Sequence, residues 1–291
     1  MRNLLHIIRS HCTHLDPRPT GLAPRLHSLD GIKAVLFDVY GTLFISGAGD
    51  ISLSKLEQCK HVLPWALEQM GVTTTVPASK IAEEFLETIK LHHGHQQERG
   101  IEHPEVEIRA IWRDLLEGIS GKEPSAEDVE PLALLYEVRA NPVWPMPGLD
   151  GIPGVLRERN LRSGIISNAQ FYTPLLFEAL LGHSPQALGF DPECSAWSFE
   201  QLEAKPSTRL YEICADALQE KAAIAPHEIL YLGNDMRNDI LPASQTGFRT
   251  GLFAGDARSL RLREEDPSCN GLEPDIVLTD LRQLADCLPV G

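Results

Sequence analysis

The feature that most constrains the fold is a short apolar run that ends in a carboxylate and a glycine-containing turn. Residues 34–37 are Ala-Val-Leu-Phe, Asp38 follows directly, and Gly41 comes shortly after. A run that is apolar at every position is typical of a strand buried on both faces, as in a parallel sheet. After residue 146, strand-like and helix-like stretches alternate, which indicates an α/β fold with a parallel sheet.

A different pattern occupies residues 46–145, where apolar residues recur at helical spacing. The repeats include Leu63, Ala66 and Met70, then Ile81, Phe85 and Ile89, then Ile108, Ile111 and Leu115, and finally Leu132, Leu135 and Val138. Three prolines between residues 142 and 147 end this stretch and form a stiff connector. We therefore predict an all-helical insertion at 46–145, within a core of residues 31–45 and 146–291 that follows an N-terminal extension, 1–30.

The formal net charge of −15 limits the classes of partner. A surface this acidic repels nucleic acid and anionic lipid, so we expect neither as a partner. No apolar run approaches the ~20 residues that a membrane span needs. The six cysteines are scattered and form no CxxC pair, which favours reduced thiols in an intracellular, cytoplasmic protein. The sequence offers no basis for predicting the oligomeric state.

The N-terminal extension differs in charge from the rest of the chain. Residues 1–28 contain four arginines and a single acid, Asp16. An arginine-rich, acid-poor start is typical of a transit peptide, but a surface extension or a misassigned start codon explains the same pattern. The sequence leaves these three alternatives open.

Polar segments follow the predicted strands or precede a predicted helix. They are Asp38 to Thr42, Ser167-Asn168, Lys205-Pro206, and the segment from Gly233 to Asp239. Ligands of open parallel sheets bind at the carboxyl ends of the strands, so we expect these segments to meet at one edge. Three carboxylates there, Asp38, Asp235 and Asp239, would raise one another's pKa unless a cation offset their repulsion. Mg²⁺ suits such a site, and a carboxylate beside it can attack a phosphoryl group.

The four segments, in this order and spacing, resemble the four motifs of the haloacid dehalogenase superfamily. The match spans about residues 32–255, and the helical insertion after the first motif resembles the cap of one large subgroup. A single DxxGT motif is weak evidence, whereas four ordered segments on a matching strand pattern are strong. The resemblance implies a Rossmann-like three-layer α/β core with a parallel sheet and an inserted all-helical cap domain.

The resemblance also implies a role for each matching residue. Asp38 would be the nucleophile, and Lys205 would neutralise charge on it and on the transferring group of the substrate. Thr42, Ser167 and Asn168 would also bind the substrate. Mg²⁺ would be held by Asp38, the backbone carbonyl of Tyr40, Asp235 and Asp239. The implied activity is Mg²⁺-dependent hydrolysis of a small phosphorylated metabolite through an aspartyl-phosphate intermediate.

One position departs from the phosphatases of this superfamily, which usually carry a general acid and base two residues after the nucleophile. That position is Tyr40, a phenol with an unperturbed pKa of ~10 and thus a poor base at neutral pH. Because acid–base help is typically worth about 10²–10⁴ in rate, we expect slow turnover of alkyl phosphates and less loss for aryl and acyl phosphates. The tyrosine and the Ser167-Asn168 pair also resemble the metal-free 2-haloacid dehalogenases, whose halide leaves without a proton.

The fourth segment favours the metal-dependent alternative. Asp235 and Asp239 would repel a carboxylate substrate unless a cation offset their charge. Asn234 is an alternative for the first acidic position, but Asp235 is preferred because it lies about one helical turn from Asp239. A third interpretation is a catalytically silent member that binds a phosphorylated ligand or a partner protein.

The predicted cap contains a cluster of histidines, His92, His93, His95 and His103. Their spacing fits no standard metal motif and residues 96–99 are polar, so we interpret them as a polar cap loop. Substrate specificity is expected to lie in residues 45–145, although no motif there identifies the substrate. We also expect the cap to close over the core about two linkers, near 45–50 and 141–148.

Overall fold

The computed structural model describes residues 4–47, 56–121 and 123–289. The first elements in chain order are α1 (Leu4–His11), β1 (Ala34–Phe37), β2 (Phe44–Ser46), α2 (Leu56–Gln69), α3 (Ala78–Glu98), α4 (Ile108–Ser120), α5 (Ala126–Ala140) and β3 (Val143–Pro145). They are followed by α6 (Ile152–Glu158), β4 (Arg162–Ser167), α7 (Thr173–Leu181), β5 (Ala196–Trp197), α8 (Ser198–Gln201) and α9 (Arg209–Ala222). The last are β6 (Ile229–Gly233), α10 (Leu241–Gln245), β7 (Arg249–Phe253), β8 (Ile276–Leu278) and α11 (Leu284–Cys287).

The core is a sheet of six parallel strands in the order β5-β4-β1-β6-β7-β8. Alternate residues of β1 point to opposite faces, so Val35 and Phe37 join one apolar cluster and Ala34 and Leu36 join another. Side chains of α7 complete the first cluster, and side chains of α9 complete the second. Helices therefore cover both faces, and the predicted Rossmann-like α/β fold with three layers is confirmed.

Helices α2 to α5 lie between β2 and β3 in the chain, where the sequence predicts the inserted cap, and they are called the cap below. Phe85, Trp112 and Tyr136 pack together in the cap with ring centroids 4.9 to 5.4 Å apart. β2 and β3 pair antiparallel, and Ser46 Oγ donates to Asn141 Oδ1 at 2.9 Å. The two predicted linkers thus form one β-ribbon, although residues 48–50 of the first linker lie outside the described residues.

The described part of the N-terminal extension is packed against both the core and the cap. Helix α1 lies on α5 of the cap and on α7 of the core. Ile8 is fully buried, and Arg9 Nε donates to the Ala179 carbonyl near the end of α7 at 2.9 Å. Further along, Arg25 forms an antiparallel bridge with Val277 of β8. This segment therefore contributes to the packing of the core.

Within the described ranges, no helix is long and apolar enough to cross a membrane. All six cysteines are buried with free thiols. Burial raises the pKa of the Cys12 and Cys194 thiols to about 11, so neither is a reactive thiolate at neutral pH.

Candidate active site

The carboxyl end of β1 carries Asp38, of which only 6% is exposed. Its Oδ1 atom accepts hydrogen bonds from Ser167 Oγ at 3.0 Å and from Lys205 Nζ at 2.8 Å. β1 lies between β4 and β6, so side chains that follow these three strands meet here. Burial raises the pKa of Asp38 to about 6, although the positive charge of Lys205 lowers it. The carboxyl group is therefore mostly ionised at neutral pH, as a nucleophile must be.

Lys205 is the central cation of this cluster. Its ammonium group also donates to Asp239 Oδ1 at 2.6 Å and to Tyr231 Oη at 3.2 Å. Burial alone would lower the pKa of Lys205, but the two carboxylates raise it, so the ammonium group stays protonated. The sequence predicts substrate contact for Asn168, whereas in the structure its side chain bonds to the backbone N–H and carbonyl of Lys205. Asn168 thus holds the lysine in place.

The two acids of the fourth segment are both engaged by protein groups. Asp239 Oδ1 accepts from Lys205 and from the Tyr231 hydroxyl, and its Oδ2 accepts from two backbone amides at 2.9 Å. Asp235 forms a two-point ion pair with Arg263, with Nε–Oδ1 at 3.0 Å and Nη2–Oδ2 at 2.6 Å. Asp235 Oδ1 also accepts from the backbone amides of residues 237 and 238, which caps the helical turn that follows.

Asn234, not Asp235, contacts the loop that follows the nucleophile. Its Oδ1 accepts from the Thr42 hydroxyl at 3.2 Å, and its Nδ2 donates to the Ser259 carbonyl at 2.6 Å. Ser259 also packs on Gly41, where an added Cβ would come within 2.5 Å of the Ser259 Cβ. Gly41 has φ +85°, so glycine suits this position both in conformation and in space. The loop after β7 therefore forms one wall of the site.

The predicted Mg²⁺ ligands can be tested against these contacts. Within the described residues, no group of three or more His, Cys, Asp or Glu side chains is arranged to hold a metal ion. Asp38 and Asp239 share the charge of Lys205, and Asp235 is paired with Arg263. Two protein cations therefore already balance two of the three negative charges, which weakens the need for a divalent cation. The predicted Mg²⁺ ligand set stays a prediction.

Replacing Arg263 with glutamine is expected to destabilise the protein by about 1–3 kcal/mol, because Asp235 would be left buried and unpaired. This expected loss of unfolding free energy is smaller than for a fully buried ion pair, because 29% of the Arg263 side chain is exposed. Urea unfolding of the single variant and of the Arg263→Gln/Asp235→Asn double variant would measure the effect. The double variant should recover most of the loss, and no recovery would show that the ion pair is not its cause.

Tyr40 is placed where it cannot readily serve as an acid or base. Its hydroxyl is hydrogen-bonded to Thr173 Oγ1 at 2.9 Å, and the residue is buried. Burial raises the pKa of Tyr40 well above its usual value, and the negative charge of Glu137 raises it further. The structure thus agrees with the expectation that this phenol is a poor general base.

A loop of the cap docks on the core next to these residues. Glu105 Oε2 accepts from Ser198 Oγ at 2.8 Å, and the Glu105 amide donates to the Leu202 carbonyl at 3.0 Å. Gln170 holds the same loop, donating to the Val106 carbonyl at 2.8 Å and accepting from the Ile108 amide at 3.0 Å. These contacts place the cap against the core segments that precede Lys205 and follow Asn168 in sequence.

The Glu105→Gln variant is expected to be more stable than the wild type at pH 8 by about 1–2 kcal/mol. Burial raises the pKa of Glu105 from 4.5 to about 7, so folding favours its protonated form. The stability that this protonation contributes is fully present below pH 4.5 and is lost as the pH rises through about 7. Chemical unfolding at pH 5 and pH 8 would show the advantage of the variant growing with pH. If the stability difference between the variant and the wild type did not change with pH, ionisation of Glu105 would not be its cause.

Several site residues escape the sequence-based prediction. Tyr231 could have been suspected, because it is the one polar side chain in the apolar run of β6. Asn234 is recognised only as an alternative to Asp235. Arg263 and Glu105 lie in loops far from the four segments, and no pattern in the sequence connects them with the site.

Comparisons with known proteins agree with this geometry. A family model for haloacid dehalogenase-like hydrolases matches residues 32–247 of the chain. A 2-haloacid dehalogenase from Pseudomonas syringae pv. tomato DC3000 is 19% identical, with 87% of this chain and 96% of that chain covered and a TM-score of 0.53. A HAD phosphatase from Thermococcus onnurineus is 15% identical, with 87% and 96% covered and a TM-score of 0.50.

At these identities the two structures demonstrate a common fold and carry no information about the substrate of this chain. A search of the curated proteins found no match. The family model covers well over half of the 291 residues, including Asp38, Ser167, Lys205 and Asp239. The chain therefore belongs to the haloacid dehalogenase-like hydrolases.

Proposed function

We propose that the protein hydrolyses a small substrate through a covalent ester on Asp38, and that the leaving group departs as an anion without being protonated. The observation that carries this proposal is the pair of hydrogen bonds from Ser167 and Lys205 to a single oxygen of Asp38. This asymmetry assigns a different task to each carboxylate oxygen. The buried, hydrogen-bonded Tyr40 supports the second half of the proposal, because it is a poor proton donor for a leaving group.

In the first step Asp38 Oδ2 is the attacking atom. The hydrogen bonds from Ser167 and Lys205 both reach Oδ1, and Oδ2 accepts none from the described residues. A new bond forms between Oδ2 and the substrate carbon, and the bond to the leaving group breaks. The leaving group takes the electron pair and departs as a stable anion, so this step needs no proton.

In the second step water opens the ester at the Asp38 carboxyl carbon. The carbonyl oxygen of this ester is Oδ1, which becomes negatively charged when water adds. Ser167 and Lys205 already donate to Oδ1 and would stabilise this charge as an oxyanion hole does. The bond between the carboxyl carbon and Oδ2 then breaks, and the product leaves as an alcohol after taking up one proton of the attacking water, whose other proton passes to solvent. The carboxylate of Asp38 is restored with an oxygen atom from water.

The substrate class that we favour is a small 2-haloacid, attacked without a metal ion. The main sequence-based objection to this class is the repulsion between a carboxylate substrate and the acids of the fourth segment. Lys205 and Arg263 offset these charges, since they pair with Asp239 and Asp235 respectively. Asp38, Ser167 and Lys205 are all buried, which supports a small molecule as the substrate, and the net charge of −15 argues against nucleic acid. A cytoplasmic location is consistent with such a substrate and remains a prediction.

Mg²⁺-dependent hydrolysis of a small phosphorylated metabolite is the second candidate. Its support is that Ser167 and Lys205 are placed to hold phosphoryl oxygens beside Asp38. Asn234 also brings a carboxamide oxygen, an acceptable Mg²⁺ ligand, to the Thr42 loop. In this case too the missing general acid favours acyl and aryl phosphates over alkyl phosphates.

One assay panel separates these candidates. Halide release from 2-chloropropionate and phosphate release from acetyl phosphate and p-nitrophenyl phosphate are measured with Mg²⁺ and with EDTA. Halide release that EDTA does not change supports the proposal. Phosphate release that requires Mg²⁺, with no halide release, would replace it by the second candidate. Binding of inorganic phosphate without turnover of any substrate would instead favour the silent-binder interpretation.

A further inference from the structure

Tyr231 provides the third acceptor of the Lys205 ammonium group. A lysine ammonium has three N–H donors, and here they point to Asp38 Oδ1 at 2.8 Å, Asp239 Oδ1 at 2.6 Å and Tyr231 Oη at 3.2 Å. Tyr231 lies within β6 and is fully buried, so its ring cannot move away easily. The direction of each N–H bond is therefore set by three protein oxygens.

The hydroxyl of Tyr231 also connects the lysine with the end of β4. It lies 3.0 Å from the Ile166 carbonyl and 3.0 Å from Asp239 Oδ1, and its single proton can be donated to either. Ile166 directly precedes Ser167, the other donor to Asp38. Tyr231 thus contacts Lys205, one donor to Asp38 Oδ1, and also the residue that precedes Ser167, the other donor.

We infer that Tyr231 is a positioning residue for the opening of the Asp38 ester, because it keeps the Lys205 ammonium group directed at Oδ1 after Asp38 has lost its charge. This inference rests on the proposed function. Before the ester forms, the negative charge of Asp38 itself attracts the lysine. Once the ester has formed, Oδ1 is a neutral carbonyl oxygen and Asp239 is the remaining anion paired with Lys205.

The two steps therefore differ in their dependence on Tyr231. In ester formation the oxygen of Asp38 makes a bond to carbon and the leaving anion departs, with Lys205 held by two carboxylates. In ester opening one water is consumed, and one alcohol and one proton are released. Stabilisation of the negative charge on Oδ1 in this step depends on a correctly directed Lys205 N–H. Loss of the Tyr231 hydroxyl should slow the second step more than the first.

The test compares Tyr231→Phe with Tyr136→Phe, both of which keep a buried ring and remove one hydroxyl. Tyr136 lies on α5 of the cap, and its hydroxyl is 3.2 Å from Cys59 Sγ, away from Lys205 and Tyr231. With 2-chloropropionate, we expect kcat of Tyr231→Phe to fall about tenfold, since a misdirected donor loses part of its stabilisation of the oxyanion. Acid-quenched mass spectrometry should show the Asp38 ester accumulating in Tyr231→Phe, while kcat of Tyr136→Phe stays within about twofold of wild type.

Equal slowing of ester formation and ester opening, or no accumulation of the ester, would overturn the inference. A measurement without substrate separates this outcome from failure of the proposed function. Slowly exchanging Lys205 ammonium protons should be visible by ¹H–¹⁵N NMR in the wild type and in Tyr136→Phe, and should be lost in Tyr231→Phe. If all three proteins retain the signal, Tyr231 does not hold the lysine. If no protein turns over any substrate, the proposed function fails and the NMR result still decides the role of Tyr231.

Discussion

The Asp38→Asn variant is expected to lose at least about 10³-fold in kcat on any substrate that the protein hydrolyses, because covalent catalysis requires the carboxylate oxygen. The amide keeps the size of the side chain and can still accept hydrogen bonds from Ser167 and Lys205 through its oxygen. The variant should therefore fold. Lys205 also keeps Asp239 as a partner, so the change in unfolding free energy should stay within about 2 kcal/mol.

The matched control is Asp30→Asn, which removes an exposed carboxylate shortly before β1 in sequence. Steady-state rates and urea unfolding curves of both variants would be compared with those of the wild type. Asp30→Asn should change neither quantity appreciably. If Asp38→Asn retained more than about a tenth of the wild-type rate, Asp38 would not be the nucleophile and the proposed covalent route would have to be abandoned.

The second large effect is expected for Lys205→Met, which should reduce both stability and activity. This variant leaves Asp38 and Asp239 buried without a cation, and removing one partner of a buried ion pair costs about 3–5 kcal/mol. It also removes one of the two donors to Asp38 Oδ1, and loss of a single donor to an oxyanion costs about 10²–10³ in kcat. Methionine has nearly the same shape, so the loss reports on charge and hydrogen bonding more than on packing.

The loss of stability in Lys205→Met should depend on pH. Lys205 lowers the pKa of Asp38, so its removal raises this pKa above the wild-type value of about 6. Protonation of Asp38 relieves the unpaired charge, and the deficit should therefore be smaller at pH 5 than at pH 8. Unfolding by urea at both pH values would measure the difference. A deficit that did not change with pH would indicate lost packing in place of an unpaired charge.

The course of the chain through the core follows from local patterns. The apolar run of β1 predicts a strand buried on both faces, and the two apolar clusters on either side of Val35 and Leu36 confirm this. Such a strand must lie inside a sheet, so its carboxyl end had to meet the ends of its neighbours β4 and β6. This is why Asp38 and Ser167 could be assigned to one site before their distances were known, whereas Lys205, which precedes α9, was assigned from the order of the four segments.

The partners of the charged groups could not be predicted in the same way. Asp235 and Asp239 have similar local sequence, yet one pairs with Arg263 and the other with Lys205. The sequence-based preference for Mg²⁺ rested on three clustered carboxylates, and it did not include Arg263, which reaches Asp235 from the long loop after β7. The phosphatase alternative stays open for the assay, but its electrostatic argument is weaker than the sequence suggested.

The sequence by itself determined the fold class, the inserted helical cap and the residues that follow the strands, because these depend on apolar periodicity and on strand ends. Only the tertiary structure decided which oxygen of Asp38 is held, that Asn234 faces Thr42, and that the N-terminal segment packs on core and cap. Hydrogen bonds and ion pairs act over a few ångströms, and their strength depends on burial. Their partners are therefore set by how distant parts of the chain pack together.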